Sequence, residues 1–352
     1  MAPSGSFAPV TGPSVWYGSD LQQRSDWIRQ FSATELSELD AAVRAFKASG
    51  AALAAISPQA FPLPDLGPAL ADILGELLEG RGFAMLRGFP VERYSREEQA
   101  IAYMGIGAHL GRPRSQNAKG HLLGHVKDLG LDISDPKVRY YQTRRKLEYH
   151  TDSVDVVGLL CLKTAKAGGE SFIASSMAIY NEILKRRPDL VPALFEPYPT
   201  DRRGEVPEGM KPWFDMPIYH RHAGRLSCIY ARQYIESAQA LFAEARRLTR
   251  AQVEAMDLMD GLLNDPQIHL SMAFLAGDMQ FLHNHQILHS RSDFENWPEP
   301  ARHRHLLRLW LAPPGGRPLP EIFAPRYGSV APGERGGIVV TGMTPKVPLE
   351  AE

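Results

Sequence analysis

Cysteine is nearly absent, with Cys161 and Cys228 the only two in 352 residues. That excludes a disulfide framework or a thiolate metal site, and it favours a reducing compartment. No run approaches the roughly eighteen apolar residues of a membrane span. Residues 1–16 carry neither a basic segment nor an apolar one, so they do not read as a secretory leader. The expected location is therefore cytoplasmic. Charge of one sign is also missing: 39 basic side chains stand against 40 acidic ones, for a formal net charge of -1. Such a balance gives no general drive toward nucleic acid or an anionic membrane, and neither is expected as a partner. A small molecule is the expected partner, and a homo-oligomer is compatible with the sequence. What is present is an ordinary apolar fraction, 44% against 22% charged, enough for a sizeable core. Twelve histidines complete the picture. A bound metal would be held by imidazole and carboxylate.

The length allows roughly two domains, or one large β-rich domain wrapped by helices. The second reading is preferred: an irregular arm over residues 1–18, then a single domain over 19–352. Ser32 and Glu35 form a capping-box pattern opening a helix to about Ser49, with Leu36, Leu39, Val43 and Phe46 on one face. A second helix is expected over about 69–79, and a buried strand over Phe83–Leu86. Ser95 and Glu98 open a third helix that ends near Gly111. Residues 112–149 read as a long irregular loop or lid. Strands are expected over 156–162 and 171–174, with the turn 167–170 between them. Helices follow around 176–186 and 190–195. Residues 197–223 read as loop, and 252–264 as helix. The last third predicts strands over 269–274, 279–288 and 303–311. No internal repeat is visible.

Only one histidine has a carboxylate two residues on: His150, with Asp152. Chance alone would give about 1.4 such pairs, so the motif is weak in isolation, and a surface histidine beside a solvated aspartate is the plain alternative. On a strand or its extended end, however, both side chains would share one face and reach one metal. A third ligand would complete a two-histidine, one-carboxylate triad with three open positions. His283, His285 and His289 are the candidates, and their common parity in a strand does not choose among them. Downstream, Arg304 and Arg308 share a strand face with Leu306 and Trp310. They are either surface arginines or a clamp for a carboxylate inside a barrel.

Four segments in order carry a resemblance: Tyr149-His150-Thr151-Asp152, Ala167-Gly168-Gly169-Glu170-Ser171, Asn284 through His289-Ser290-Arg291, and Arg304 through Arg308. With the opening strand Gly82–Gly88, they make roughly residues 70–312 similar to the TauD/TfdA-like (clavaminate synthase-like) iron(II)/2-oxoglutarate dioxygenases. The resemblance implies an α+β fold with a double-stranded β-helix, a cupin-like jelly roll, flanked by helices. It implies iron(II), 2-oxoglutarate and O2 as the reacting partners. His150, Asp152 and His289 would be the metal ligands, His289 because a small residue and an arginine follow it. Arg304 would hold the distal carboxylate of 2-oxoglutarate, and Ser171 would bond the co-substrate where the family often has threonine. Arg308 would face the site and serve either the co-substrate or an anionic substrate. Gln116, Asn117, Tyr149, Trp213 and Phe214 are candidate substrate contacts. The implied activity is oxidation of an unactivated C–H bond in a small carboxylate- or sulfonate-bearing molecule, releasing succinate and CO2. Hydroxylation is the expected outcome, with desaturation or ring closure as variants. A metal-dependent hydrolase using the same residues would want a metal-activated water and a carboxylate base, and no His-Glu-x-x-His helix is present. A non-enzymatic ligand-binding barrel would need no buried arginine clamp.

Overall fold

The computed structural model describes residues 7–133 and 138–352. The parts of the expected arm and lid that fall on residues 1–6 and 134–137 lie outside the described residues. Two β-sheets face each other. The larger has seven strands, running in space Ile28–Gln30, Phe83–Arg87, Met279–His283, Val156–Lys163, His305–Ala312 and Arg112–Pro113, with Leu123–Lys127 also paired to His305–Ala312. The smaller has four: Leu270–Met272, Ser171–Ser175, Ile287–Arg291 and Leu147–His150.

Alternation along the central strand explains the layering. Leu307, Leu309 and Leu311 point outward onto a cluster with Leu39, Leu70, Leu77 and Ile106 from the flanking helices Ala33–Ala48, Gly67–Leu78 and Arg96–Leu110. Leu306 and Trp310 point inward, where Met85, Val157 and Leu282 of the large sheet meet Ile173, Leu270 and Ile287 of the small one. The small sheet's other face is covered by helices Ser176–Arg186 and Arg250–Leu263. This is a two-sheet jelly roll with helices on its outer faces. Both expected capping boxes form, Ser32 with Glu35 and Ser95 with Glu98. The described part of the arm is irregular but fastened: Val10 exchanges backbone hydrogen bonds with the Asn181 side chain.

Four expectations change. The segment 112–149 is not simply a loop, since it supplies strands Arg112–Pro113, Leu123–Lys127 and Leu147–His150. The first two sit at the sheet edge, where Gly124, His125 and Lys127 interrupt any clear alternation. Residues 197–223 carry three strands in two antiparallel ribbons, Tyr198–Asp201 with Trp213–Met216 and Tyr219–His222 with Arg225–Cys228. The second ribbon turns through Ala223 and Gly224, both at positive φ (46° and 76°). That is the twist a two-residue hairpin prefers, with alanine in the place usually taken by asparagine or glycine. Helix Arg232–Leu241 was not anticipated. Finally, 279–288 is two strands. The chain leaves the large sheet after His283, turns through Asn284–Gln286 and enters the small sheet at Ile287. The shared parity of His283, His285 and His289 ends at that crossing.

His283 Nδ1 instead accepts from Gln286 Nε2 at 2.8 Å, and His285 belongs to a buried ionic group. The Asp155 carboxylate accepts from His285 Nε2 at 2.8 Å and from Arg335 at 2.8–3.0 Å. Arg335 also donates to the carbonyls of Val330 and Arg317, tying the C-terminal segment to the loop after Asp152. Burial alone would raise the Asp155 carboxyl, but His285 and Arg335 hold it below its ordinary value. Its stabilising contribution is therefore complete above the ordinary carboxyl range, about pH 4, and is lost as pH falls through the lower native value. Replacing Arg335 by Leu strands a buried charge and is expected to cost about 3–5 kcal/mol in urea unfolding. A change below about 1 kcal/mol, the level of a surface ion pair, would mean that this group does not anchor the segment.

Candidate metal centre and its cavity

Strand register brings the two ligand histidines together. His289 lies directly opposite His150 across the small sheet, with ring centroids 4.2 Å apart. Asp152 follows two residues after His150, just beyond the strand end, and its backbone N–H donates to Asn284 Oδ1 at 2.9 Å. His150 Nδ1 donates to the Glu148 carbonyl at 2.9 Å, which places the ring's lone pair on Nε2. His150 Nε2 is 3.8 Å from Asp152 Oδ1, and His289 Nε2 is 3.9 Å from Asp152 Oδ2. These gaps are too long for hydrogen bonds, and the three potential ligand atoms all lie within 4.8 Å of one another.

The electrostatics suit a cation. Burial pushes His150 below its ordinary value and His289 down to about 3, so both imidazoles are neutral donors at pH 7. Burial would raise Asp152, but the charge of Arg308, with the Trp310 indole, holds it below its usual range. Trp310 Nε1 donates to Asp152 Oδ2 at 2.9 Å, and Arg308 Nη1 lies 3.7 Å from the same oxygen. Two neutral imidazoles beside one ionised carboxylate form the donor set of a divalent transition metal. Asp155, His283 and His285 are a second geometric grouping. There the guanidinium of Arg335 already occupies the carboxylate, and a cation would meet its charge.

Arg308 is fixed by its Nε bond to Gln116 Oε1 at 2.7 Å and lies over the rings of Tyr141 and Trp310. Arg304 and Ser171 lie elsewhere between the sheets. Arg304 is buried, donates only one long bond (3.3 Å, to the Gly169 carbonyl), and leaves Nη1 without a partner. No carboxylate lies within ion-pair distance of it among the described residues, and burial lowers it to about 10. Gly169 makes this approach possible: at φ +80° it lies so close that a Cβ would meet Arg304 Nε at 2.9 Å. Ser171 is paired opposite Arg291, two residues along the strand from His289. Arg291 is likewise buried, with one unpartnered nitrogen, and shares the Phe294 ring with Arg304.

Above the metal cluster opens a cavity of about 1050 Å³, counting its mouth. Its wall includes His150, Asp152, Gln116, Arg308 and Phe214. The other three substrate candidates are not brought to this wall. Tyr149 and Trp213 each precede a cavity residue on a strand, so alternation turns them away. Tyr149 packs beside His269, and Trp213 stacks on Phe242. Asn117 borders a smaller neighbouring hollow with His121 and Glu352. Residues that sequence reasoning did not single out here are Asn284, Trp310, Arg202 and Arg326. Trp310 was legible as sharing a strand face with Arg308, whereas Arg202 and Arg326 lie in segments without a readable period.

Comparison with known proteins places this geometry in context. Residues 45–310 match the family described as "Taurine catabolism dioxygenase TauD, TfdA family". The FR-33289 synthase of Streptomyces rubellomurinus is 33% identical over 330 residues, 92% of this chain and 96% of that protein. A taurine hydroxylase-like protein, SAT17, of Stachybotrys chartarum is 32% identical over 318 residues, covering 86% of this chain and 81% of its own. Among solved structures, asparagine oxygenase with Fe(II), 3-hydroxyasparagine and succinate superposes with a TM-score of 0.60. It shares 16% identity and covers 81% of this chain and 93% of that one, a likeness of fold. Replacing Trp310 by Phe removes the only hydrogen bond donated by a side chain to Asp152 among the described residues. Divalent-metal affinity is expected to fall roughly tenfold, as for other residues that orient a ligand. Titration with Co(II) measures it, and an unchanged affinity would show that Asp152 is oriented by Arg308 and Asn284 alone.

Proposed function

The chain belongs to the TauD/TfdA family and is an iron(II)- and 2-oxoglutarate-dependent oxygenase of small molecules, and from that premise we propose how its own residues carry the reaction. His150, Asp152 and His289 hold the iron. The observation that carries this reading is the convergence of two neutral imidazole nitrogens and one ionised carboxylate, with His150 and Asp152 on the cavity wall. Arg304, with a guanidinium that no carboxylate among the described residues neutralises, receives the distal carboxylate of 2-oxoglutarate. Ser171 donates to the same co-substrate. The two-residue step along the strand from His289 to the position facing Ser171 spans roughly 7 Å, about the reach of a five-carbon dicarboxylate. One oxygenase domain over residues 19–352 would contain the whole site.

When bound, iron(II) with 2-oxoglutarate and O2 supplies the oxidant for a substrate C–H bond, and the co-substrate leaves as succinate and CO2. The protein's part is positioning and exclusion of water. Arg308 and Trp310 keep Asp152 ionised and aimed at the metal position. The Gln116–Arg308 pair and Tyr141 form one wall, and Phe214, Met216, Ile218 and Ile229 supply apolar surface opposite. A small substrate carrying an anionic group fits a wall of mixed guanidinium and apolar character. Hydroxylation is the proposed outcome.

Anaerobic addition of 2-oxoglutarate to the iron(II)-loaded protein is expected to produce a metal-to-ligand absorption band. Changing Arg304 to Ala should raise the 2-oxoglutarate concentration needed for that band at least tenfold, the cost of losing a charged hydrogen bond, and leave iron binding intact. No band in the wild-type protein would sink the proposal. An unaltered requirement in the variant would assign the clamp to another residue.

A further inference from the structure

The cavity wall holds more positive charge than the proposed iron chemistry uses. Among the described residues five arginines line it, Arg139, Arg202, Arg203, Arg308 and Arg326, with three carboxylates, Asp152, Asp201 and Glu205. Arg308 faces Asp152 at 3.7 Å, Arg139 faces Glu205 at 3.6 Å, and Arg203 faces Asp201 at 3.9 Å. Arg202 and Arg326 remain. Both lie against one ring, with guanidinium carbons 5.1 and 5.7 Å from the centre of Phe214. Among the described residues no carboxylate stands within ion-pair distance of either.

Two like charges thus lie over one aromatic ring of the cavity wall, and the charge of Arg326 disfavours that of Arg202. Burial, and then the charge of Arg326, lowers Arg202 to about 10. Burial also lowers Arg326, although Glu205, Tyr327, Tyr234 and Asp152 bear on it in the opposite direction. Arg202 is tethered: its Nε and Nη2 donate to the carbonyls of Lys211 and Pro325. Because Pro325 precedes Arg326, that second bond ties the Arg202 side chain to the backbone that carries Arg326. Arg326 itself donates no side-chain hydrogen bond among the described residues. A preorganised pair of this kind is costly without a counter-anion and is relieved by one carrying two charges.

We propose that Arg202 and Arg326, braced on Phe214, form the subsite for a doubly charged tetrahedral oxyanion of the substrate, the PO3 group of a phosphate monoester or phosphonate. The two cations left without a carboxylate among the described residues match a dianion, whereas a carboxylate or sulfonate would neutralise half of their charge. Planar guanidiniums meet such a group through paired N–H···O bonds. The dianion would sit on the Phe214 wall, leaving the apolar stretch of Met216, Ile218 and Ile229 and the metal floor for the rest of the molecule. This assignment refines the anionic substrate of the proposed function and rests on that reading for its catalytic meaning.

Methyl phosphate and methyl sulfate have nearly the same shape and differ in charge above the second phosphate ionisation, near pH 6. They are to be titrated calorimetrically into the full-length protein loaded with Mn(II) and 2-oxoglutarate, and again into metal-free protein. At about pH 8, well above that ionisation, methyl phosphate is expected to bind at least tenfold more tightly. Near pH 5, below it, that advantage should shrink through titration of the probe, while protonation of Glu205 would act the other way. Arg326→Gln should weaken methyl phosphate at least tenfold and leave 2-oxoglutarate binding unchanged. Arg202→Lys, which keeps a charge but loses the fork, should show a smaller loss. A parallel titration with methylphosphonate distinguishes a phosphonate from a phosphate ester as the preferred source. Equal affinity for sulfate and phosphate esters at pH 8, or an Arg326→Gln protein that binds like wild type, overturns the assignment. Failure of 2-oxoglutarate to bind would strike the proposed function and leave the metal-free anion titration readable.

Discussion

Asp152 carries a full negative charge into a space where water is scarce, and the arrangement around it follows from that requirement. An isolated buried carboxylate would take up a proton and lose its value as a ligand. Here the indole of Trp310 and the guanidinium of Arg308 approach one oxygen, the Asn284 side chain grips the backbone, and two imidazoles complete the ring of neighbours. Each comes from a different stretch of chain. Trp310 and Arg308 require the inward face of strand His305–Ala312, and His289 requires the register that sets it opposite His150. The layered core is what holds those faces and registers in place.

Much of this was legible from residue order. The His150/Asp152 spacing and the inward parity of Arg308 and Trp310 are properties of an extended chain, and an extended chain writes them directly into sequence. The helices with capping boxes were readable for the same local reason. What was not readable depends on contacts between distant segments. Leu123–Lys127 is a strand because His305–Ala312 offers it a partner, not because its own residues alternate. The histidine parity failed where the chain changes sheets at Asn284–Gln286, a turn built from hydrogen bonds to Gly82 and Ser176 that no local pattern announces. Trp213 and Phe214 illustrate the finer limit: adjacent aromatics in a segment read as loop cannot be assigned to inside and outside until the ribbon is known.

The two buried ionic groups on either side of the metal-binding loop divide the work. Asp155 is fully enclosed and matched by Arg335 and His285, so it fixes the backbone three residues beyond Asp152 without presenting a free charge. Asp152 is left only partly matched, with 3.7–3.9 Å to its cationic or ligating neighbours. The same contrast separates Arg308, bonded to Gln116, from Arg304, which has no carboxylate partner among the described residues. Saturated groups hold the frame, and unsaturated ones face the places where a ligand enters.

The spread of these contacts along the chain has a consequence for biosynthesis. His150 and Asp152 leave the ribosome well before His289, and the groups that keep Asp152 charged, Arg308 and Trp310, emerge later still. Arg335, which anchors the loop through Asp155, follows later again. The nascent polypeptide therefore passes through a long interval with two of its three ligands synthesised and none of their electrostatic support. A competent metal pocket therefore requires residues made long after its first two ligands.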